Sequence, residues 1–199
     1  MSKILITGAS GFVGGFLVEH VLQDDVEVYA AVRKTSNLEY LQDKRVTLVY
    51  PDYENIDDLA SIIDRYRFDY IIHNAGLTKS KDEEQYFKVN CKFLINIVSA
   101  IEKCAFPPKK LTFISSLAAY GPAEYTKAGI VTETSTPHPV TAYGRSKLSA
   151  EIYLKGQEII DYVIIRPTAV YGPREKDLFT VYNLINNGLE MSIGLNEQM

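Results

Sequence analysis

The sequence predicts an α/β fold, a doubly wound parallel sheet with helices on both of its faces. Two observations support this prediction. Short apolar runs alternate with amphipathic helical stretches along residues 1–173, and the first run leads through closely spaced glycines into a helix. Strands that alternate with helices form parallel sheets, which bind ligands at the carboxyl ends of their strands. The residues that follow each strand are therefore the candidates for a functional site.

The first strand, around Ile4 to Ile6, leads into a Gly-x-x-Gly-x-x-Gly turn that opens the first helix. Backbone N–H groups at a helix N-terminus are unpaired and attract an anion, and glycine lets that anion approach closely. Ser10 occupies a position where the commoner dinucleotide fingerprint of Rossmann folds has glycine. A role in packing alone is the alternative. We predict that a dinucleotide pyrophosphate binds at Gly8, Ser10, Gly11, Phe12, Val13 and Gly14.

The second strand, Glu27 to Val32, ends at Arg33 and Lys34. In a dinucleotide-binding fold, the residue at this strand tip meets the adenosine ribose. A carboxylate there favours NAD, whereas an arginine can bind the 2′-phosphate of NADP with two hydrogen bonds. We therefore predict that NADP(H) is preferred and that NAD(H) is possible. A solvated basic turn is the alternative.

The third strand, Val46 to Val49, follows a predicted short helix over residues 37–42. Asp52 and Tyr53 come next, at the sheet edge where an adenine amino group could donate a hydrogen bond to the Asp52 carboxylate. A turn or helix-capping role for Asp52 is an equal alternative. An amphipathic helix is then predicted from Ile56 to Tyr66.

The fourth strand, Tyr70 to His73, is followed by small residues that would let the backbone approach a ligand. We predict that His73 is a hydrogen-bonded core histidine, because it lies within an apolar strand. The small residues are Asn74, Ala75 and Gly76. The later elements are predicted as a helix over 82–104, a strand over 111–115, a polar loop to 139, a helix over 141–157 and a strand over 162–166.

Two serines and a tyrosine–lysine pair are the candidates for catalysis. Ser115 and Ser116 end the fifth strand, and Tyr143 and Lys147 open the helix after the polar loop. The i,i+4 spacing places the phenol and the ammonium on one helix face. A neighbouring ammonium favours the phenolate, so Tyr143 could exchange a proton with a substrate oxygen while a serine hydroxyl holds that oxygen.

The same spacing occurs again at Tyr40 and Lys44. Because the chain has 14 tyrosines in 199 residues, a Tyr-x-x-x-Lys pattern arises by chance about once. Tyr143 follows a strand that ends in two serines, whereas Tyr40 lies in a polar connection. We therefore interpret Tyr40 and Lys44 as a chance match.

Composition and charge exclude several classes of function. The net charge of -4 argues against a general affinity for nucleic acid or for an anionic membrane. No apolar run is long enough to span a membrane, and no secretion signal is evident, so we expect a cytoplasmic protein that acts on a small molecule. Cys91 and Cys104 lack metal-ligand spacing, so we predict reduced thiols and no metal site.

The ordered set of these motifs resembles the extended short-chain dehydrogenase/reductases, the NAD-dependent epimerase/dehydratase family, over nearly the whole chain. The resemblance implies that Ser116, four residues before Tyr120, is the catalytic hydroxyl. It also implies that Lys147 binds the nicotinamide ribose and lowers the pKa of Tyr143. The resemblance is carried by motifs at residues 7–14, 52, 73–76, 89–90, 113–121, 143–147 and 166–174. Within these motifs, it implies that Asn90, Pro167 and Thr168 are cofactor-binding residues.

The resemblance further implies that segments ending in Ala75–Gly76 and Pro167–Thr168 line the adenosine and nicotinamide ends, and that a homodimer is possible through the two long helices. Members of the family usually have a larger substrate-binding lobe. We therefore predict a dinucleotide-binding domain over 1–173 and only the start of a substrate lobe over 174–199.

Arg33 distinguishes this chain from many nucleotide-sugar members of the family, which have aspartate at that strand tip. In this respect it resembles the dihydroflavonol-reductase-like enzymes. We therefore predict an NADP(H)-dependent oxidoreductase that reduces a carbonyl or oxidises an alcohol through Ser116, Tyr143 and Lys147. The alternatives are a nucleotide-sugar epimerase or dehydratase that retains NAD, and a cofactor-binding protein without turnover.

Overall fold

The computed structural model describes residues 1–122, 130–175 and 177–189 of the chain. The chain forms two compact units, Met1–Thr168 and Ala169–Met199. The first unit contains the whole sheet, and the described part of the second contains helix α6, Asp177–Asn186. Part of the predicted polar loop, residues 123–129, lies outside the described residues. The assignment of the C-terminal residues to a substrate lobe stays a prediction.

Six strands form one parallel sheet: β1 (Ser2–Thr7), β2 (Val26–Ala31), β3 (Val46–Val49), β4 (Tyr70–His73), β5 (Lys110–Ile114) and β6 (Asp161–Ile165). Their order across the sheet is β3-β2-β1-β4-β5-β6, and every neighbouring pair is parallel. The winding reverses between β1 and β4, and doubly wound sheets bind ligands at that point. The predicted fold class is therefore confirmed.

The strand register brings the carboxyl ends of four strands into one line. Thr7 at the end of β1 lies opposite Ala31 on β2 and His73 on β4. His73 in turn lies opposite Phe113 on β5. The residues that follow these strands therefore share one edge of the sheet.

Helices cover both faces of the sheet: α1 (Phe12–Val21), α2 (Ile56–Tyr66), α3 (Glu83–Phe87), α4 (Phe93–Lys103) and α5 (Ala142–Lys155). Side chains alternate along each strand, so neighbouring residues face opposite cores. Leu5 and Ile71 pack in a core with residues of α2, α4 and α5, whereas Ile6 and Val28 pack in a second core with Val18 of α1.

Two predicted helices differ from the structure. Residues 37–42 form turns rather than a helix, because the Asn37 side chain accepts a hydrogen bond from the Glu39 N–H at 3.0 Å and offers the backbone a local alternative. The long helix predicted over 82–104 is divided into α3, a π-helical segment at Lys88–Lys92 and α4. Single π-helical turns of this kind often mark functional sites.

Candidate active site

Thr7 joins the ends of β1 and β4 at the switch point of the sheet. Its hydroxyl accepts hydrogen bonds from the N–H groups of Asn74, at 3.1 Å, and Ala75, at 3.0 Å, and is 2.8 Å from Nδ1 of His73. The Asn74 side chain also donates to the Gly8 carbonyl, at 3.4 Å. The loop after β4 is therefore fixed against the glycine turn. His73 is fully buried and hydrogen-bonded, as predicted for a core histidine.

The glycine turn is compact because a side chain would not fit at two of its positions. Gly8 has φ +64°, and a Cβ atom there would lie 2.8 Å from the backbone of Ala75. A Cβ atom on Gly14 would lie 2.1 Å from the Gly8 carbonyl oxygen. These two glycines let β1, the loop after β4 and α1 approach one another.

Gly11 is the N-cap of α1 and provides no side-chain cap for the helix. Within the described chain, the N–H groups of Phe12 and Val13 donate to no backbone or side-chain acceptor. A Cβ atom on Gly11 would meet only the Gly8 carbonyl oxygen, at 3.3 Å, so the space beyond it is open. Free donors at the positive end of a helix dipole fit a pyrophosphate, and half-buried Ser10 lies in the same turn.

Arg33 lies directly after β2 with an exposed side chain. Its backbone N–H donates to Ser36 Oγ at 3.0 Å, and its guanidinium forms no ion pair with any side chain in the described ranges. The guanidinium is therefore free to meet an anion at this strand tip.

Asp52 and Tyr53 serve the local structure. The Asp52 carboxylate accepts a hydrogen bond from the Glu54 N–H at 2.9 Å, which is the turn role that we gave as an alternative. The Tyr53 ring stacks on Phe93 with the ring centroids 5.0 Å apart, and burial raises the pKa of its phenol well above the usual range. The Tyr53 side chain packs against the core, and a role of this residue in cofactor binding stays a prediction.

Asn90 lies in the π-helical segment and is completely buried. Its Oδ1 accepts from the Leu77 N–H at 2.7 Å, and its Nδ2 donates to the Leu77 carbonyl at 3.0 Å and to Ser146 Oγ at 3.0 Å. Together these bonds join the loop after β4 to α5 through Asn90. The side chain therefore positions that loop, and a contact of Asn90 with the cofactor stays a prediction.

Ser116 and Tyr143 face each other across the ends of β5 and α5. Ser116 caps a 3-10 turn at Leu117–Ala119, in which its hydroxyl accepts from the Ala118 N–H at 3.2 Å. Tyr143 lies in the first turn of α5, which Thr141 caps through a 3.0 Å hydrogen bond from the Gly144 N–H. Burial raises the pKa of Tyr143, and its hydrogen bond with Ser116 acts in the opposite direction.

Lys147 is one turn further along α5 and is buried at 3% exposure. Its Nζ donates to the Ile114 carbonyl at 2.8 Å and lies 5.0 Å from the centre of the Phe113 ring. Burial lowers the pKa of Lys147 to about 8, and the Glu151 carboxylate opposes that shift. A Cβ atom on Gly76 would lie 3.2 Å from Nζ, so the small-residue loop is adjacent to this amine.

The effect of Lys147 on Tyr143 differs from the expectation. We predicted a lowered pKa for Tyr143, but its pKa is raised, because desolvation outweighs the other contributions. The Lys147 ammonium is directed at the Ile114 carbonyl. The hydroxyl of Ser116, rather than Lys147, is the group that favours the phenolate here.

The loop after β6 lies beside Ser116, because the Leu117 N–H donates to the Pro167 carbonyl at 2.9 Å. Thr168 follows Pro167 and ends the first compact unit. This places the predicted nicotinamide-end segment next to the candidate catalytic serine.

Sequence reasoning missed Tyr86 and Glu151. The Tyr86 and Tyr143 rings pack in a T-shaped arrangement with their centroids 6.2 Å apart. The Tyr86 hydroxyl accepts a hydrogen bond from the Ser80 N–H at 2.8 Å. Glu151 is completely buried beneath the site. Its i,i+4 spacing from Lys147 on α5 is a signal that could have identified it. No comparable spacing pointed to Tyr86.

The described ranges contain neither a cluster of metal ligands nor a helix that could span a membrane. No group of three or more His, Cys, Asp or Glu side chains there is arranged to hold a metal ion. None of the helices described is both long and apolar enough to cross a bilayer.

Known proteins match this chain at the level of family and fold. The family model described as the NAD dependent epimerase/dehydratase family matches residues 4–193. A UDP-glucose 4-epimerase of Vibrio cholerae is 31% identical over 96% of this chain and 59% of its own length. An Escherichia coli O157:H7 enzyme, N-acetyl-alpha-D-glucosaminyl-diphospho-ditrans,octacis-undecaprenol 4-epimerase, is 31% identical over 92% of this chain and 53% of its length.

Two solved structures show the same fold with a bound dinucleotide. Bordetella bronchiseptica WbmG in complex with NAD has a TM-score of 0.80 and 26% identity, over 95% of this chain and 61% of that chain. UDP-glucuronic acid 4-epimerase from Bacillus cereus in complex with NAD has a TM-score of 0.75 and 29% identity, over 93% of this chain and 61% of that chain. The chain therefore spans between half and two thirds of the length of these relatives.

Proposed function

The chain belongs to the NAD dependent epimerase/dehydratase family, and on that premise we propose that it is an oxidoreductase-type enzyme that epimerises a nucleotide sugar. The observation that carries this proposal is the placement of Ser116, Tyr143 and Lys147 at the sheet edge that also holds the glycine turn. The names of the Vibrio cholerae and Bacillus cereus relatives favour C4 of a UDP-sugar as the reacting carbon.

A bound nicotinamide dinucleotide would accept a hydride from the substrate carbon and return it. The free Phe12 and Val13 amides would hold its pyrophosphate, and Lys147 would bind the nicotinamide ribose hydroxyls. The open space beyond Gly11 leaves room for the phosphate oxygens.

Tyr143 and Ser116 would act on the substrate oxygen. Because its pKa is raised, Tyr143 is protonated at neutral pH and is ready to donate a proton to a carbonyl oxygen. The Ser116 hydroxyl would hold the same oxygen and favour the phenolate when the proton moves in the other direction. An epimerase needs both directions in each turnover, because the sugar is first oxidised and then reduced.

The test is an assay of sugar inversion. Purified protein with NAD⁺ and UDP-glucose should form UDP-galactose, and Tyr143→Phe should lower the rate by about 10²-fold or more. Tyr40→Phe removes the hydroxyl from the other Tyr-x-x-x-Lys spacing and is the control that should retain activity. An unchanged rate in Tyr143→Phe would rule out this mechanism.

Net carbonyl reduction with NADP(H) is a second candidate, favoured by the Arg33 guanidinium, which forms no ion pair with a described residue. If Arg33 binds the 2′-phosphate, NADPH should bind at least about tenfold more tightly than NADH, as expected for a charge-assisted hydrogen bond. Arg33→Gln should remove that difference, whereas Lys34→Gln should leave most of it. Tighter binding of NADH by the unmodified protein would refute the NADP preference.

We also propose that the protein forms a homodimer through α4 and α5. Ile152 on α5 is 61% exposed, and a second copy packed on this helix would remove that apolar side chain from water. Sedimentation equilibrium should report twice the chain mass, and Ile152→Glu should shift the protein toward monomer. A monomeric unmodified protein at micromolar concentration would exclude this arrangement.

A further inference from the structure

A buried ionic cluster lies directly behind the candidate active site. The Glu151 carboxylate is 0% exposed. It accepts two hydrogen bonds from Arg166 Nε, at 2.9 and 3.1 Å, one from Arg166 Nη2, at 2.8 Å, and one from Ser115 Oγ, at 2.5 Å. Lys155 is the next nearest cation, with 3.8 Å between Nζ and Oε2. One carboxylate thus joins helix α5 to the ends of β5 and β6.

The cluster contacts the chain on both sides of Ser116. Ser115 precedes it and donates directly to Glu151. The Arg166 guanidinium lies 4.4 Å from the ring centre of Tyr120, at the end of the 3-10 turn that Ser116 caps. The backbone after Arg166 holds the same turn, through the bond from the Leu117 N–H to the Pro167 carbonyl. The position of the Ser116 hydroxyl therefore depends on three contacts that converge on one ion pair.

Stability alone is a poor explanation for such a pair. Removing two charges from water costs several kcal/mol per ion, and well-packed apolar residues often replace buried ion pairs without loss of stability. Fully satisfied buried polar clusters do, however, fix one arrangement of the elements that they join. In this fold, the elements so joined carry Ser116 on one side and Tyr143 with Lys147 on the other.

We propose that Glu151 and Arg166, with Ser115, are positioning residues that hold the turn capped by Ser116 against the start of α5, beside Tyr143, where a Cβ atom on Gly144 would lie 2.2 Å from the Ala118 carbonyl oxygen. None of the three would touch the substrate. Their catalytic consequence rests on the proposed function, but their hold on the turn at Ser116 does not, because the cluster contacts the chain on both sides of that residue.

The contact has a measurable signature in the titration of Tyr143. Ser116 lowers the pKa of Tyr143, so any change that displaces its hydroxyl should raise that pKa further. The other groups near the phenol are the Tyr86 ring and Lys147, which lies one turn along α5. Ser115→Ala leaves all of these groups in place and changes only the bond to Glu151.

The experiment follows the Cζ resonance of Tyr143 by NMR against pH in protein labelled with ¹³C at tyrosine Cζ. Tyr143→Phe identifies the resonance. Ser115→Ala and Glu151→Gln should both raise the pKa of Tyr143, in the same direction as Ser116→Ala. Adding Ser115→Ala to Ser116→Ala should give no further rise, because Ser115 acts through Ser116.

The matched controls are Ser149→Ala and Glu158→Gln, which change the same chemical groups on or just after α5 without contact with the cluster. Both should leave the Tyr143 titration unchanged. In the enzyme loaded with dinucleotide, Ser115→Ala should lower kcat by about tenfold to a hundredfold while KM changes little, as expected for a misplaced catalytic group.

An unchanged Tyr143 titration in folded Ser115→Ala protein would overturn the proposal, and so would an additive shift in the double variant. Ser115→Ala decides the matter if Glu151→Gln does not fold, because alanine fits the buried site. A raised pKa in a protein that inverts no sugar would support the positioning role and count only against the proposed function. A failure of the positioning proposal can therefore be distinguished from a failure of the proposed function.

Discussion

His73 is buried under the glycine turn with Nδ1 bonded to Thr7, and its Nε2 has no hydrogen-bond partner among the residues described. Burial, and secondarily the nearby charge of Lys147, lower the pKa of His73 to about 3. The folded protein therefore binds the His73 proton less readily than the unfolded chain does. The stability that neutral His73 confers is complete above about pH 6.5 and is lost as the pH falls toward 3.

This titration predicts an acid-dependent loss of stability. Between pH 7.5 and pH 5, His73 should contribute a loss of about 2 kcal/mol in the free energy of unfolding. His73→Gln should remove that contribution, and His20→Gln, at an exposed position on α1, should not. Urea unfolding at the two pH values measures the difference. If the free energy of unfolding depended on pH equally in the unmodified protein and in His73→Gln, His73 would not be the source of this acid-dependent loss.

Gly14 offers a test of the glycine turn itself. Gly14→Ala places a Cβ atom 2.1 Å from the Gly8 carbonyl oxygen, and neither backbone can yield without moving α1 from β1. We expect a loss of about 1–3 kcal/mol in the free energy of unfolding, as for other overpacked sites.

Gly156→Ala is the matched control, since its Cβ atom would meet nothing closer than the Tyr153 carbonyl oxygen at 3.5 Å. It should unfold at nearly the same urea concentration as the unmodified protein. Equal stabilities for the two variants would show that the turn can relax.

At the scale of single residues, the sequence predicted positions better than roles. Tyr143 and Lys147 lie on one helix face because i,i+4 spacing dictates it. The direction of the Tyr53 side chain depended on Phe93 of α4, 40 residues further along, which no local pattern encodes. The sign of the Tyr143 pKa shift likewise depended on burial by distant elements.

The π-helical segment of residues 88–92 is the least regular element around the site. Its Asn90 satisfies both the N–H and the carbonyl of Leu77, so these two backbone groups depend on one side chain. Asn90→Ala would leave these buried backbone groups unpaired, and we expect a loss of about 1–3 kcal/mol in unfolding free energy. Asn37→Ala, at an exposed turn, is the control.

Amide hydrogen exchange provides the local measurement for Asn90→Ala. The Leu77 amide should exchange faster in this variant, whereas amides of β2 should exchange at their original rates relative to global unfolding. Unchanged protection of the Leu77 amide would show that the loop is held by other contacts.

At the scale of elements, the strands were predictable because each is a short apolar run bounded by polar or small residues. β3, α2 and β4 have the predicted bounds, and the other strands are shifted by one or two residues. The interruption by the π-helical segment was not predictable, because it is stabilised by Asn90 bonding to a loop 13 residues away and to Ser146 of α5. Residues 37–42 do not form the predicted helix, because the Asn37 side chain accepts a hydrogen bond from the nearby Glu39 N–H.

At the scale of the whole molecule, the strand order places the residues that follow β1, β2, β4 and β5 at one edge of the sheet. Alternation of strands and helices was enough to predict the doubly wound sheet, because parallel strands need crossover helices. The sequence alone did not show how Glu151 and Arg166 join three elements behind that edge, because this contact links residues that are distant in the pattern of strands and helices.

The glycine turn should hold a dinucleotide for the residues at the ends of β5 and α5. Gly11→Asp tests this binding with little cost to the fold, because aspartate is a favoured N-cap and Gly11 has φ −81° and ψ 176°, which any residue can adopt. The new carboxylate would lie where the pyrophosphate should bind. Like charges so close should weaken binding by about a hundredfold or more.

Isothermal titration calorimetry with NAD⁺ and NADP⁺ is the most direct measurement. The unmodified protein should bind at least one of them with 1:1 stoichiometry. Gln23→Glu, which adds the same charge beyond the other end of α1, should bind equally well, and folded Gly11→Asp should not bind. A dinucleotide site at the glycine turn is excluded if the folded protein saturates with neither dinucleotide, or if Gly11→Asp binds as tightly as the unmodified protein.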